Sequence, residues 1–278
     1  MKVAAIQMVS STSLAENLAS AHGLLQEAAN LGAELAVLPE YFCLMGRRDT
    51  DKLAIQEPFG KGEIQTFLSK TALQLKLWIV GGTLPLAVAN SAGDDTASRR
   101  VHNSALVFAP SGDCVARYDK IHLFKFDNGQ EAFDESRVLL QGHTPVKFEM
   151  TDRAGQQWRI GMSVCYDLRF PELYRSYAAS GVDVLLVPSA FTFTTGQPHW
   201  EVLLRARAIE NQAFVVAPAQ GGLHENGRRT WGHTMLIDPW GEVLAQRPLD
   251  AGVVCQDLVF ARRGQCHAKL PALSHRVL

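Results

Sequence analysis

Cys165 is the residue in this sequence that is best placed to act as a nucleophile. It follows an apolar run over 159–164 that predicts a strand, and Pro171 lies just beyond, where a helix is predicted to begin. A thiolate is a strong nucleophile, and the mouth of an α/β sheet lies at the carboxyl ends of its strands. The backbone N–H groups after such a residue, beginning with Tyr166, are suited to hold an oxyanion. The alternative interpretation is a buried structural cysteine.

A thiol nucleophile needs a base and a positive charge, and Glu40 and Lys120 are the candidates. Glu40 interrupts an otherwise apolar segment over 35–42, where a carboxylate is suited to proton transfer. Lys120 lies in an alternating strand pattern over 118–125, and its ammonium group is suited to stabilise a developing oxyanion. The ordinary alternatives are a surface glutamate that starts a loop and a lysine on a solvated face. No Cys–His pair is favoured by spacing.

Strand and helix patterns alternate along the chain, as α/β proteins require. Short apolar runs predict strands at 3–8, 35–38, 77–80, 101–108, 114–118, 159–164, 182–187, 214–217 and 253–259, and a hairpin at 235–244. Apolar residues at helical spacing predict helices at 14–29, 63–75, 171–180 and 201–212. No Ser- or Gly-rich linker interrupts the pattern, so a single domain over 1–278 is predicted. The pattern alone leaves open two packed sheets or a barrel.

Composition limits the classes of function and partner. The chain has 278 residues with 27 basic and 28 acidic side chains, so no net positive field favours nucleic acid or an anionic membrane. No run approaches the roughly 18 apolar residues that span a bilayer. The five cysteines form no C-x-x-C pair, which argues against a disulfide framework or a structural zinc site and favours a reducing, cytoplasmic location.

Three ordered segments around these candidates resemble the nitrilase superfamily, whose catalytic set is Glu, Lys and Cys in that chain order. The matching segments are LPE (38–40), YDKIHL (118–123) and VCYDLRFPE (164–172), and the likeness continues in PSAF (188–191), HWEVLLRARAIEN (199–211), GH (232–233) and DPWG (238–241). The resemblance implies an α/β fold, a four-layer α-β-β-α sandwich. It also implies a homodimer, or a higher homo-oligomer, with no cofactor and no metal.

The resemblance also implies roles for the residues. Glu40 would be the general base, and Lys120 would stabilise the tetrahedral intermediate with the backbone N–H of Tyr166. Cys165 would form a thioester with release of ammonia, and water would then free the acid. Family members often carry a further glutamate near this triad, and Glu135 matches its position.

Within the superfamily the chain is most similar to the branch that hydrolyses amides of 2-oxo acids, with deaminated glutathione as the expected substrate. Arg169 is then a carboxylate anchor, since guanidinium suits bidentate binding, or else an ion-pair partner of Glu172. Phe191, Thr194 and Thr195 are expected to contact substrate from a loop after the strand at 182–187. Arg228 and Arg229 are expected either to bind a distal glycyl carboxylate or to lie in a solvated loop.

Other functions stay open at this point. The enzyme alternatives are an omega-amidase that acts on 2-oxoglutaramate, an N-carbamoyl amine amidohydrolase and, less favoured by the flanking sequence, a nitrilase. A different class is an inactive scaffold that has kept the fold for partner binding. Retention of Glu40, Lys120 and Cys165 in matching contexts argues against the scaffold.

Overall fold

The computed structural model describes residues 1–88 and 100–277. The strands are β1 (Lys2–Gln7), β2 (Leu35–Val37), β3 (Trp78–Val80), β4 (Leu84–Ala87), β5 (Val101–Phe108), β6 (Cys114–Asp119), β7 (Lys125–Asp127), β8 (Ala132–Asp134), β9 (Leu139–Leu140), β10 (Lys147–Thr151), β11 (Gln157–Met162), β12 (Val184–Leu186), β13 (Phe214–Ala217), β14 (Gly221–Leu223), β15 (Arg229–Trp231), β16 (Thr234–Ile237), β17 (Val243–Arg247) and β18 (Gly252–Asp257). The α-helices are α1 (Leu14–Asn30), α2 (Glu63–Leu75), α3 (Pro171–Ala179), α4 (Phe193–Asn211) and α5 (Ala261–Lys269).

Two large sheets form the centre of the molecule. The first has the order β18-β1-β2-β3-β5-β4, with β6 and β9 also paired to β5, and the second has the order β10-β11-β12-β13-β16-β17. The central strands β1, β2 and β3 are parallel, as are β11, β12 and β13. The remaining pairs β7-β8 and β14-β15 form small hairpin sheets.

Alternation along the strands of the first sheet divides its two faces. On β1, Val3 and Ala5 belong to the core shared with the second sheet. Their neighbours Ala4 and Ile6 pack into a separate core with the buried faces of α1 and α2. Because successive side chains of a strand point to opposite faces, a strand that is apolar on both must be covered on both.

Helices α3 and α4 cover the other side of the second sheet. The ring of Tyr177 on α3 packs directly on β11 at Gly161, where a Cβ would lie 3.0 Å from the ring. Buried side chains of α4, including Trp200, Leu204 and Ala208, join the same core. The four layers are thus helix, sheet, sheet and helix, so the predicted α-β-β-α sandwich is confirmed and the barrel is excluded.

The topology brings the ends of distant strands to one edge. Strand β6 is antiparallel to β5, which is antiparallel to β3, so β6 runs in the same direction as β2 and β3. Glu40 follows β2, Lys120 follows β6, and Cys165 follows β11 of the facing sheet. The positions of the predicted chemical groups are therefore set by the carboxyl ends of three strands.

Two of the predicted boundaries that differ from the structure lie close to the predicted chemical groups. Strand β11 ends at Met162 rather than at residue 164, and Cys165 begins a short 3-10 helix over Cys165–Arg169. Helix α4 begins at Phe193 instead of residue 201 and contains Gly196 and Pro198, two residues that usually mark a break. Gly196 is required there by packing, because a Cβ would lie 2.3 Å from Trp231 on β15.

Within the described part of the chain, no helix combines the length and the apolar character needed to cross a membrane.

Candidate active site

A cleft of about 290 Å³ opens at the edge where the three strand ends meet. It is lined by Glu40, Phe124, Glu135, Cys165, Tyr166, Arg169, Ala190, Phe191, Thr192, Thr195 and Arg228. Carboxylates, a thiol and two guanidinium groups share this space with aromatic rings.

Glu40 is held in one orientation by contacts on both carboxylate oxygens. Oε1 accepts hydrogen bonds from Lys120 Nζ and Asn103 Nδ2, each at 2.9 Å. Oε2 accepts one from the backbone N–H of Ala190 at 3.0 Å. The side chain is only 1% exposed, so this carboxylate is desolvated and fixed beside the thiol.

Lys120 is fully buried between two carboxylates. Its Nζ donates to Glu40 Oε1 at 2.9 Å and to Glu135 Oε1 and Oε2 at 2.9 and 2.8 Å. Burial by itself would lower the pKa of this amine, but the charges of Glu135 and Glu40 outweigh it and raise the pKa above its ordinary value. Lys120 therefore keeps its positive charge at neutral pH.

Glu135 is saturated with donors. Besides Lys120, it accepts from Tyr41 Oη at 2.8 Å and from the backbone N–H of Phe124 at 2.7 Å. Burial opposes ionisation, but the attraction and hydrogen bonds of Lys120 leave the pKa of Glu135 below its ordinary value. An ionised carboxylate with every oxygen occupied is suited to orient Lys120 and unsuited to move protons.

Cys165 occupies a strained backbone position at the floor of the cleft. Its φ is +52°, in the left-handed region that residues other than glycine rarely adopt. Its own N–H is bonded to Pro188 O at 3.0 Å. Burial, and then the negative charge of Glu40, raise the pKa of the thiol well above its usual range. The resting group is therefore a neutral thiol that needs a base at the moment of attack.

The backbone N–H of the next residue, Tyr166, has no acceptor among the described residues. It lies in the first turn of the 3-10 helix that begins at Cys165, where N–H groups lack partners within the helix. An unpaired donor one residue from the nucleophile is the arrangement that a tetrahedral oxyanion requires.

Asp167 ties the segment after Cys165 to the segment after Lys120. It is fully buried, and its Oδ2 accepts from Val164 N at 2.8 Å and from Tyr118 Oη at 2.7 Å. Its Oδ1 accepts from His122 N at 2.9 Å and lies 2.7 Å from His122 Nδ1. A single carboxylate thus sets the distance between the strand end that carries the nucleophile and the one that carries Lys120.

Arg169 lies on the wall of the cleft without a carboxylate partner. Its guanidinium lies 5.8 Å from the centre of the Tyr166 ring and 5.4 Å from that of Phe191. Its hydrogen bond is to His199 Nδ1, at 3.3 Å. Among the described residues Arg169 forms no ion pair, so the alternative role as a partner of Glu172 is absent.

The two threonines expected to contact substrate are placed differently by the structure. Thr194 and Thr195 lie in the first turn of α4 and not in a loop, and Thr192 caps that helix through the Thr195 N–H at 3.4 Å. Thr195 and Thr192 line the cleft and their hydroxyls are 2.9 Å apart. Thr194 is exposed and donates to Glu131 Oε2 at 2.9 Å, because the helical turn directs it away from the cleft.

Like Thr195 and Thr194, Arg228 and Arg229 differ in whether they line the cleft. Arg228 lines the cleft, whereas Arg229 is exposed on β15 and lies 3.7 Å from the centre of the Phe193 ring. Of the two alternatives for this pair, a solvated position therefore describes Arg229, while Arg228, which precedes β15, lies where a substrate can be contacted.

Comparison with known proteins agrees with this geometry. The family model described as carbon-nitrogen hydrolase matches residues 2–268. A deaminated glutathione amidase of Synechocystis sp. is 41% identical over 99% of this chain and 97% of its own length. The human omega-amidase is 32% identical over 99% of this chain and 94% of its own length. Among solved structures, Saccharomyces cerevisiae Nit3, a member of branch 10 of the nitrilase superfamily, superimposes with a TM-score of 0.86 at 26% identity and covers 100% of this chain and 97% of its own.

The chain belongs to the carbon-nitrogen hydrolase family. The predicted membership of the nitrilase superfamily is confirmed, and the protein is a hydrolase that acts on carbon–nitrogen bonds.

Several residues of this hydrolase's site were not identified from the sequence. Asn103, Tyr41 and Asp167 hold the carboxylates and the nucleophile segment, and Thr192 lines the cleft. Asp167 lies inside the segment that carries the family resemblance, so its position was a signal that could have found it. Asn103 and Tyr41 gave none, because their roles depend on contacts 63 and 94 residues away in sequence.

Proposed function

We propose that this hydrolase is an amidase that cleaves the amide of a 2-oxo acid, with deaminated glutathione as its substrate. The observation that carries the proposal is Arg169, a guanidinium in the cleft with no carboxylate of its own. The acyl portion of such a substrate ends in a 2-oxo acid carboxylate at the opposite end from the amide to be cleaved, and guanidinium binds carboxylate with paired hydrogen bonds.

The first half of the reaction forms a thioester on Cys165. Glu40 takes the thiol proton as the sulfur attacks the amide carbon, because the raised pKa of the thiol leaves it neutral until then. The carbon–nitrogen bond breaks, and the departing amine receives the proton that Glu40 holds. Dividing the hydrolysis into two acyl transfers lowers each barrier.

The oxyanion of the tetrahedral intermediate is held by the free N–H of Tyr166 and by the charge of Lys120. All three N–H groups of Lys120 are bonded to carboxylates, two of them to Glu135. Lys120 donates to the oxyanion by exchanging one of those two bonds, and Glu135 keeps it in place with the other. One such donor is typically worth roughly 3–4 kcal/mol of the barrier.

The second half of the reaction releases the acid. Glu40 takes a proton from water, the hydroxide attacks the thioester carbon, and the sulfur leaves and regains the proton. The leaving group of the first half depends on the substrate. Deaminated glutathione carries a dipeptide on its amide nitrogen, so cysteinylglycine leaves, and the expected release of ammonia applies only to a primary amide such as 2-oxoglutaramate.

Sequence similarity to named relatives favours deaminated glutathione over 2-oxoglutaramate as the substrate. The Synechocystis relative named deaminated glutathione amidase is 41% identical, against 32% for the human omega-amidase. Omega-amidase activity on 2-oxoglutaramate is therefore the second candidate, and it uses the same residues.

The test is a panel of purified substrates. We expect kcat/KM for deaminated glutathione, measured by release of cysteinylglycine, to be at least about tenfold above kcat/KM for 2-oxoglutaramate or an N-carbamoyl amine, measured by release of ammonia. Faster hydrolysis of 2-oxoglutaramate by more than about tenfold would overturn the substrate choice. Hydrolysis that is lost in folded Cys165→Ala would exclude the scaffold alternative, whereas hydrolysis that survived this change would rule out the thiol mechanism.

We also propose that the protein is a cytoplasmic homodimer. On α4, Val202 and Ile209 lie seven residues apart on one face and are 68% and 49% exposed, and Trp240 nearby is 49% exposed. Such a patch of large apolar side chains is suited to a subunit interface. The cysteines are all free, which fits a reducing compartment. Light scattering that gave the mass of one chain, and kept it at high concentration, would refute the dimer.

A further inference from the structure

A second cavity of about 290 Å³ lies beside the catalytic cleft. This side chamber is lined by Tyr41, Leu44, Met45, Gly46, Arg48, Asp49, Lys52 and Arg228. Arg228 also lines the catalytic cleft, and the hydroxyl of Tyr41 is bonded to Glu135 of that cleft. The side chamber therefore adjoins the reacting centre across a boundary made by one guanidinium and one tyrosine.

Arg228 is unlike the other arginines that are packed into the protein. Its Nε is buried without a hydrogen-bond partner. Its Nη1 is 3.9 Å from the sulfur of Met45, and its guanidinium lies 5.1 Å from the centre of the Phe133 ring. By contrast, Arg207 and Arg263 each bind a carboxylate at 2.8 Å. A buried donor left unpaired is costly, which indicates that its partner is a ligand.

Lys52 adds a second cation to the side chamber. Its Nζ lies 4.9 Å from the centre of the Tyr41 ring. Among the described residues it forms no ion pair, although Asp49 also lines the chamber. Arg48, the third basic residue there, is paired with Asp51 at 3.4 Å. The net charge facing the chamber is therefore positive.

The walls of the side chamber are fixed to each other. Asn226 Nδ2 donates to Gly46 O at 2.6 Å and to Met45 O at 3.3 Å. Arg47 pairs with Glu225 at 2.9 Å. These bonds join the segment that carries Lys52 to the segment that carries Arg228, so both cations are positioned before a ligand arrives.

We propose that the side chamber binds a carboxylate at the far end of the leaving amine, through Arg228 and the charge of Lys52. This inference rests on the proposed function. The cleft then has one free guanidinium for each end of the substrate: Arg169 for the 2-oxo acid carboxylate and Arg228 for the terminal carboxylate of the amine portion. The side chamber is thus what selects a peptide-like N-substituted amide over a primary amide.

The experiment compares deaminated glutathione with an analogue whose terminal glycine carboxylate is a carboxamide. For the unaltered enzyme, kcat/KM for the acid exceeds that for the carboxamide by about tenfold or more, as expected for a charge-assisted hydrogen bond. In Arg228→Gln the acid-to-carboxamide ratio falls to within about twofold of one. Lys52→Gln lowers the same ratio by a smaller factor, since Lys52 contributes charge without the paired geometry of guanidinium.

Arg229→Gln is the matched control, because it removes the same charge from the adjacent, exposed position and leaves the ratio as it is. A ratio near one in the unaltered enzyme overturns the inference without any variant. A ratio that is the same in Arg228→Gln as in the unaltered enzyme also overturns it, while hydrolysis of deaminated glutathione leaves the proposed function standing. If the unaltered enzyme hydrolyses neither compound, the proposed substrate is wrong and the inference falls with it.

Discussion

Two groups of charged residues in the catalytic cleft are built on opposite principles. In the carboxylate–lysine cluster, Glu40 and Lys120 are buried, Glu135 is half-buried, and the charged atoms are bonded to protein groups. The cleft arginines, Arg169 and Arg228, line the same space with no carboxylate partner among the described residues. The cluster has its partners within the protein, and the arginines are suited to take theirs from a ligand.

This difference suggests that the cluster catalyses the reaction and that the arginines select the substrate. A fixed cluster of charges lowers the barrier because it needs no reorganisation when the intermediate forms. Unpaired guanidinium groups contribute only when a substrate supplies anions, so they set which substrate is bound. Substitutions in the cluster are therefore expected to affect every substrate alike, and substitutions of the arginines to affect each substrate according to its carboxylates.

The largest effect is expected from Lys120→Met. It leaves Glu40 and Glu135 as buried carboxylates without their counter-charge, which costs about 3–5 kcal/mol of unfolding free energy. It also removes oxyanion stabilisation worth on the order of 10²–10³ in kcat. Chemical denaturation and steady-state kinetics measure the two losses. If Lys120→Met had unaltered stability and unaltered kcat, Lys120 would neither balance the charge of the two carboxylates nor stabilise the oxyanion.

Arg169→Gln comes next and alters one of the cleft arginines. It is expected to lower kcat/KM for 2-oxo acid amides by roughly 10- to 100-fold, since a charge-assisted hydrogen bond is lost. Arg169→Lys, which keeps the charge without the paired geometry, should recover part of this. The unfolding free energy should change little, because Arg169 has no ion pair to lose among the described residues. If Arg169→Gln lost much of its unfolding free energy with no change in KM, the role of Arg169 would be structural.

Glu135→Gln is expected to change how the unfolding free energy depends on pH. Because the folded state lowers the pKa of Glu135, its ionised form stabilises the protein above the ordinary glutamate pKa of about 4.3. That contribution is lost as the pH falls toward the lowered pKa. The difference in unfolding free energy between the unaltered protein and Glu135→Gln is therefore largest near neutral pH and shrinks in acid. A difference that grew toward acid would mean that Glu135 is protonated in the folded protein.

The smallest effect is expected from Thr194→Val. Thr194 is exposed and bonded to Glu131 outside the cleft, so KM should change by less than about twofold and stability by less than about 0.5 kcal/mol. The comparison is Thr195→Val, which alters the hydroxyl pair with Thr192 inside the cleft and should raise KM more. Equal increases in KM for the two variants would mean that Thr194 also contacts substrate.

The sequence was informative where a residue's place follows from its own strand. Glu40 and Cys165 each lie at the end of an apolar run and Lys120 lies in an alternating strand pattern, and the carboxyl ends of strands are where α/β sheets carry their sites. Singly these signals were weak, and the resemblance to the nitrilase superfamily joined the three residues into one predicted site. The boundaries near Cys165 and at the start of α4 were less predictable. The left-handed turn at Cys165 and the glycine at position 196 are fixed by neighbours distant in sequence, which local patterns do not record.

Selectivity was harder to predict for the same reason. Arg228 and Arg229 are adjacent in a polar segment, and no local pattern distinguishes the one that lines both cavities from the one that lies on Phe193. The same holds for Thr192 and Thr194, whose directions depend on where α4 begins. The direction of a side chain within a loop is set by packing. Residue type alone therefore identified candidate substrate contacts, and the structure showed which of them face the cleft.

The proposed mechanism requires that Cys165 carries the acyl group during turnover, and rapid quenching followed by mass spectrometry can detect that group. During hydrolysis of deaminated glutathione, we expect a 2-oxoglutaryl thioester on the peptide that contains Cys165, formed together with free cysteinylglycine and absent in Cys165→Ala. An acyl group on another residue, or hydrolysis at an undiminished rate by folded Cys165→Ala, would contradict it.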